Sequence, residues 1–313
     1  MNQNGDKLSH QSRIVECIVS SDAGTSNKEA ITEKLSELFD QHGIENRISL
    51  ANSGASLAEL AQKASEGDAT IVVAGGGDGT INAVASKLVG TDKILGVLPL
   101  GSLNHFAKDL GIPLDLRSAA QTIISNHISR VDVGEVNGRI FLNNSSIGLY
   151  PSIVRRRQQK ERLGHGKWPA FVWAAFSVFR RYPFLDVRVT VEGREFKTRT
   201  PFVFVGNNEY QMQSFDIGGR KCLDHGHLSL YFSHRTRRLG LIALGLRALM
   251  GQVEKSENFV ALSANEVLIE TRRHRIRVST DGEVTIMHSP LHYSVMVGAL
   301  LVAVPRPGSD DKD

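Results

Sequence analysis

Val72-Val73-Ala74-Gly75-Gly76-Gly77-Asp78-Gly79-Thr80 runs from a short apolar strand, through three consecutive glycines, into a stretch with helical periodicity. A chain entering a helix in this way brings backbone N–H groups and the positive end of the helix dipole close to an anion, because no Cβ stands in between. The stretch reads as a phosphate cradle; glycine count alone also allows a structural turn. It lacks the GK[ST] ending of a Walker A loop and the GxGxxG spacing of a dinucleotide fold.

Upstream of this run, apolar β-type segments alternate with helical ones: Ile14–Val19, a helix from about Asn27 to His42, Glu45–Ser49, a helix around Ser56–Ser65, and Ala69–Val73. Downstream come a helix over Thr80–Leu88, a strand Ile94–Leu98, a short helix near Leu103–Leu110 and another at Leu116–Asn126. This rhythm predicts an α/β domain built on a parallel sheet. From Val131 the pattern changes to turn-spaced runs: Val131–Val136, Arg139–Asn143, Val187–Val191, Thr198–Val205, Leu228–Ser233, Glu266–Glu270, Arg275–Ser279 and Val295–Val304. They predict an antiparallel, sandwich-like β domain interrupted by helical insertions at Pro169–Arg180 and Arg237–Met250. The expected division is 12–134 for the α/β domain and 135–306 for the β-rich one. The last strand either completes the second sheet or returns to the first domain, and 1–11 and 307–313 are flexible tails.

A second strand–glycine–helix passage follows the first, Leu98-Pro99-Leu100-Gly101-Ser102-Leu103-Asn104-His105-Phe106-Ala107. Two such turns at neighbouring strand ends would line one crevice. Taken together, the two motifs resemble those of the diacylglycerol kinase catalytic family, which includes bacterial lipid kinases and sphingosine-type kinases; there GGDGT is followed by a PLGTxNDFA-like segment and the pair holds ATP. The resemblance implies a two-domain, NAD kinase-like architecture with ATP between the domains. It places Gly75, Gly76, Gly77, Asp78, Gly79, Thr80 and Asn82 around the phosphates, Asp78 near Mg²⁺, and Gly101, Ser102 and Asn104 at the nucleotide. His105 stands where the family commonly has Asp, which removes a carboxylate. The family's N-terminal NPxxG turn survives only as Gly24 and Thr25 in Ser20-Ser21-Asp22-Ala23-Gly24-Thr25.

Phosphoryl transfer to an alcohol needs a carboxylate near the hydroxyl and cations on the phosphates, since positioning and electrostatics carry the rate. Asp281 and Glu283 flank a glycine in Val278-Ser279-Thr280-Asp281-Gly282-Glu283. Asp-Gly is also a hairpin signal in its own right. The resemblance to the family's late DGE/DGD motif implies Asp281 as proton acceptor, with Glu283 as its partner or alternative. Cys222-Leu223-Asp224-His225-Gly226-His227-Leu228 resembles the family's DDG turn, which in some members holds a structural Mg²⁺. Here Asp224 remains and His225 replaces the second acid, a poorer donor for a hard cation.

The bulk properties bound the answer more loosely. With 313 residues and 41% hydrophobic content there is material for two buried cores, and 37 Lys+Arg against 33 Asp+Glu gives a net charge of +4. The two cysteines, Cys17 and Cys222, have no metal-ligand spacing and read as buried thiols of a reducing compartment. Met1–Ser12 has no apolar signal-peptide region, and no segment reaches a membrane span of about 18 apolar residues. The expected setting is cytoplasmic, soluble or peripheral.

Arg155-Arg156-Arg157, Lys160 and Arg162 precede the aromatic stretch Trp168–Phe179, and Arg235, Arg237 and Arg238 precede Leu239–Leu246. Both patterns suit helices lying at an anionic membrane surface, and equally helices capping the β domain with a solvated basic face. Nucleic acid is not expected, because no binding module accompanies the charge. The expected activity is therefore ATP- and Mg²⁺-dependent phosphorylation of a lipid hydroxyl. The competing readings are an NAD kinase-like small-molecule kinase and a nucleotide- or lipid-binding regulator without turnover.

Overall fold

The computed structural model describes residues 13–21, 28–148, 184–209, 223–233 and 259–306. The chain divides into two compact units: one runs up to Val131 and takes in the chain from Ala299 onward, and the other is Asp132–Gly298.

In the first unit, β1 (Ile14–Ser20), α1 (Lys28–Asp40), β2 (Glu45–Ala51), α2 (Gly54–Glu66), β3 (Ile71–Gly76), α3 (Asp78–Leu88), β4 (Ile94–Pro99), α4 (His105–Asp109) and α5 (Leu116–Ser125) follow in order. The strands lie β2-β1-β3-β4, and all pairs are parallel. Every residue of β3 is buried, as expected of a central parallel strand covered on both faces. Side chains at the helix starts satisfy orphan N–H groups: Ser53 caps α2 through Ser56 N–H, and Asp115 caps α5 through Ser118 N–H. The order of connection reverses between β1 and β3, one pair running outward to β2 and the other to β4. In open α/β sheets ligands bind outside the carboxyl ends of the strands at such a reversal.

The second unit holds β6 (Arg139–Phe141), β7 (Asn144–Gly148), β8 (Leu185–Val191), β9 (Arg194–Thr200), β10 (Phe202–Asn207), β11 (Leu228–Ser233), β12 (Phe259–Ala264), β13 (Glu266–Thr271), β14 (Arg275–Thr280) and β15 (Glu283–His288). Two strands cross the boundary: β5 (Ile128–Val136) leads in and β16 (Leu291–Ala303) leads out. One antiparallel sheet runs β12-β11-β10-β7-β14-β15, and the other contains β13, β8 and β9 with the first part of β16. Their inner faces share one core, with Ile147, Val205, Leu230, Phe232 and Val278 from the first sheet and Val189, Val267, Ile269 and Tyr293 from the second. Asn137-Gly138 and Asp281-Gly282 have positive φ at both positions, as two-residue hairpin turns require.

The structure corrects several expected boundaries. Thr198–Val205 is not one strand but the end of β9 and the start of β10, which lie in different sheets. The break falls at Pro201, which has no N–H for a ladder, and Thr200 Oγ1 donates to Phe202 O at 2.7 Å to close the corner. The run expected over Arg139–Asn143 ends at Phe141, and polar Asn144-Ser145-Ser146 begins the separate, central strand β7. β16 serves both units: Leu291–Ser294 pairs with β13, and Leu301–Val302 runs parallel to β4. The helical insertions expected around Pro169–Arg180 and Arg237–Met250 lie outside the described residues.

Candidate active site

The cradle forms where β3 meets α3. Gly77 stands at the N-cap and Asp78 is the first helical residue. Close packing constrains Gly75 and Gly76 directly, and Gly77 only through the close approach of Gly101. A Cβ on Gly75 would reach 3.0 Å from Val19 Cγ2 on β1, and one on Gly76 would overlap the Thr80 side chain. One on Gly77 would meet Gly101 Cα at 3.5 Å, while one on Gly101 would run into Gly77 Cα. The two glycine turns therefore touch backbone to backbone, and Leu100 N–H donates to Gly76 O at 3.0 Å to join them. The N-cap Gly77 has no side chain to cap α3, so the first N–H groups of that helix receive no side-chain cap.

Asn104 shapes the second turn from within. It adopts the left-handed conformation, φ 51° and ψ 45°, which Asn tolerates better than most residues. Its Nδ2 donates to Pro99 O at 3.2 Å and Gly101 O at 2.8 Å, and its Oδ1 accepts from Gly101 N–H at 3.1 Å. The amide is thus used inside the turn, whereas Ser102 is exposed at its tip. Asp78 Oδ1 accepts from Phe106 N–H at 3.3 Å, tying α3 to the start of α4. Among the described residues its Oδ2 makes no hydrogen bond. Thr80 is buried and Asn82 half-buried on α3; Gly79 lies between Asp78 and Thr80 in the first turn. Gly24 and Thr25, expected after β1, lie outside the described residues.

In the second unit Asp281 occupies the β14–β15 turn with φ 46°. Its carboxylate accepts three backbone N–H bonds, Oδ2 from Leu142 at 2.7 Å and Oδ1 from Asn143 at 2.8 Å and Asn144 at 2.9 Å. Such a carboxylate is held in one orientation with lone pairs remaining. Glu283 points elsewhere: it is exposed and pairs with Arg139 at 2.6 Å, a surface ion pair rather than a partner of Asp281.

Sequence reasoning missed the group behind Asp281. Asp132 is 1% exposed, and its carboxylate accepts Gly298 N–H at 2.8 Å and Gly226 N–H at 2.7 Å. Fully buried Asn207 donates to Asp132 O at 2.7 Å and Leu142 O at 3.0 Å, and its own N–H goes to Asn143 O at 2.9 Å. Asn207 thus braces the 142–144 segment that grips Asp281. The one sequence signal was an acid between two valines in Val131-Asp132-Val133, where the strand pattern calls for burial.

Two carboxylates were expected at Mg²⁺. Asp78 fits, because it stands in the first turn of α3 with only its Oδ1 hydrogen-bonded among the described residues, and Mg²⁺ is commonly held by one or two carboxylates together with substrate phosphates. Asp224 does not fit a protein cage. It is exposed and makes no hydrogen bond among the described residues; the neighbouring His225 and His227 stack on each other with ring centroids 5.8 Å apart. His225 N–H donates to Asn208 Oδ1 at 3.1 Å, so the turn is fixed by protein groups. Among the described residues no three His, Cys, Asp or Glu side chains gather as a metal site.

These features match known proteins along nearly the whole chain. Residues 15–136 match the diacylglycerol kinase catalytic domain, and residues 146–304 match the YegS C-terminal NAD kinase beta sandwich-like domain. The chain belongs to the diacylglycerol kinase family of lipid kinases. A diacylglycerol kinase of Bacillus subtilis is 25% identical over 266 residues, covering 83% of this chain and 87% of that protein. One from Staphylococcus aureus is 24% identical over 225 residues, 71% of each. The crystal structure of a diacylglycerol kinase from Bacillus anthracis superposes with a TM-score of 0.69 at 20% identity, covering 94% of this chain and 97% of that one, and shows the shared fold. No described helix is long and apolar enough to cross a membrane.

Proposed function

We propose that the protein transfers the γ-phosphate of ATP to the hydroxyl of a membrane lipid of the diacylglycerol type. The observation that carries this reading is the backbone-to-backbone contact of Gly77 and Gly101, which couples two glycine turns at the carboxyl ends of adjacent parallel strands. The exposed N–H groups at the start of α3 bind phosphate oxygens, and Asn104 holds the second turn in the shape that leaves room for them. Mg²⁺, held by Asp78 together with the phosphates, would neutralise charge developing on the transferred group. Asp281 accepts the proton of the lipid hydroxyl; its three backbone donors fix the carboxylate so that no reorientation is needed during transfer. Glu283 acts through its ion pair with Arg139, steadying the same hairpin.

The relatives' names support diacylglycerol as acceptor, and a lipid substrate favours work at an anionic membrane surface. The basic segments at 155–162 and 235–238 first pointed there, but they lie outside the described residues. The test is transfer of labelled γ-phosphate from ATP and Mg²⁺ to diacylglycerol, a sphingoid base, phosphatidylglycerol and a polyprenol in mixed micelles, with NAD as a soluble acceptor. Label on diacylglycerol, lost in Asp281→Asn, supports the reading. Label on NAD alone overturns it in favour of a small-molecule kinase.

A further inference from the structure

The turn between β13 and β14 carries an unusual charge arrangement. Arg272, Arg273, Arg275 and Arg277 are all exposed, and none has a carboxylate partner among the described residues. The adjacent sheet surface is different. There Arg188 lies 3.3 Å from Glu195 and 3.6 Å from Glu270, Lys197 lies 2.9 Å from Glu195, and Arg199 lies 4.0 Å from Asp186. Arg188, Lys197 and Arg199 are compensated across β8, β9 and β13, whereas the four arginines of the turn and the start of β14 are not.

The turn is also held in place. Thr271 Oγ1 donates to Arg273 O at 2.7 Å, Ser289 N–H donates to His274 O at 2.9 Å, and Ser289 Oγ accepts Thr271 N–H at 2.9 Å. The His274 and His288 rings meet edge to face with centroids 5.0 Å apart. Across the β14–β15 ladder Arg275 faces His288 and Arg277 faces Ile286, so these four residues share one face. Ile286 is 55% exposed there. A fixed basic platform around a projecting aliphatic side chain matches the boundary between anionic headgroups and acyl chains.

We propose that this β13–β14 surface docks the enzyme on anionic phospholipid, with headgroup phosphates neutralising the four arginines and Ile286 entering the headgroup boundary. The choice of a bilayer over another polyanion rests on the lipid-kinase reading. Each arginine near an anionic surface is worth about fivefold in binding, so neutralising three removes about a hundredfold.

The test compares the full-length protein with its Arg273→Gln/Arg275→Gln/Arg277→Gln variant in co-sedimentation with phosphatidylglycerol–phosphatidylcholine vesicles, with phosphatidylcholine vesicles and with a single-stranded oligonucleotide. The expected result is binding by the wild type to the anionic vesicles alone, weakened by raised salt and about a hundredfold weaker in the variant. Phosphate transfer in neutral detergent micelles should be equal for both. Equal vesicle binding by the two proteins, no wild-type binding to anionic vesicles, or stronger binding to the oligonucleotide would each overturn the proposal. Absence of transfer in neutral micelles would instead remove the lipid-kinase reading, whatever the vesicles show.

Discussion

Asp281 and Asn144 hold each other by a reciprocal pair of bonds: Asn144 N–H donates to Asp281 Oδ1 at 2.9 Å, and Asp281 N–H donates to Asn144 O at 2.9 Å. The proposed proton acceptor is therefore also a structural clamp, and substituting it changes two properties together. Asp281→Ala orphans three N–H donors and puts alanine at φ 46°, so a loss of about 2–4 kcal/mol is expected in urea unfolding. Asp281→Asn can keep its oxygen toward Asn143 and Asn144 but turns its NH2 toward Leu142 N–H; orphaning one donor rather than three and tolerating the backbone, it should cost less stability than alanine while turnover falls about 10²–10⁴-fold. Turnover that tracks stability in both variants would make the residue a clamp alone.

Gly101 tests the cradle. In Gly101→Ala the new methyl group meets the Gly77 backbone and Asn104 Oδ1, neither of which can move without opening the turn. ATP affinity by calorimetry should fall at least tenfold and the melting temperature should drop. Gly54→Ala is the control, because open space surrounds that position and its φ is ordinary; it should be neutral or stabilise by about 0.4–1 kcal/mol.

Asp132→Asn replaces a carboxylate that receives two N–H groups with an amide that turns a donor toward one of them. At 1% exposure no water relieves the conflict, and a cost of about 2–4 kcal/mol is expected from denaturant unfolding. Asp224→Asn, on an exposed side chain without a hydrogen bond among the described residues, should leave stability within about 0.5 kcal/mol, with or without Mg²⁺.

Each unit carries a buried acid that resists ionisation. Burial pushes the Cys17 thiol far up, helped by the Glu16 charge, and burial pushes up the Tyr293 hydroxyl although its bond to Ser145 at 3.1 Å opposes the shift. A folded-state pKa above the unfolded one means the stabilisation is complete below the unfolded pKa and is lost as pH rises beyond it. Urea midpoints should therefore hold to about pH 8.5 and fall progressively above pH 9–10. Cys17→Val should delay the part of that fall belonging to the first unit. Tyr293→Phe should flatten the part belonging to the second, at a cost of about 1–2 kcal/mol at neutral pH for the orphaned Ser145 hydroxyl.

The parallel half of the fold was legible because its signals are local. An apolar run, three glycines and a helical period lie within twenty residues of one another, and β3, α3 and β4 follow from them. The β half was less so. β7 is polar yet central, because Ser145 finds its partner in Tyr293, 148 residues away. At the candidate site the sequence supplied the carboxylate of Asp281 but not the segment 137–139 residues upstream that grips it. Asp132 went unread for the same reason, since Gly226 and Gly298 lie 94 and 166 residues along the chain. Local motifs declare themselves in sequence, whereas contacts closed over such distances do not.

The split service of β16 also bears on how the protein is made. The α/β unit is synthesised first, yet its sheet lacks the strand beside β4 until Leu301 and Val302 have been added, after the whole β-rich unit. Throughout that interval β4 presents an open edge, the kind of surface that recruits strands from other chains. A nascent chain of this protein should depend on shielding by the ribosome or a chaperone until Leu301 and Val302 emerge, and a truncation before Leu301 should aggregate even though every motif of the cradle is intact.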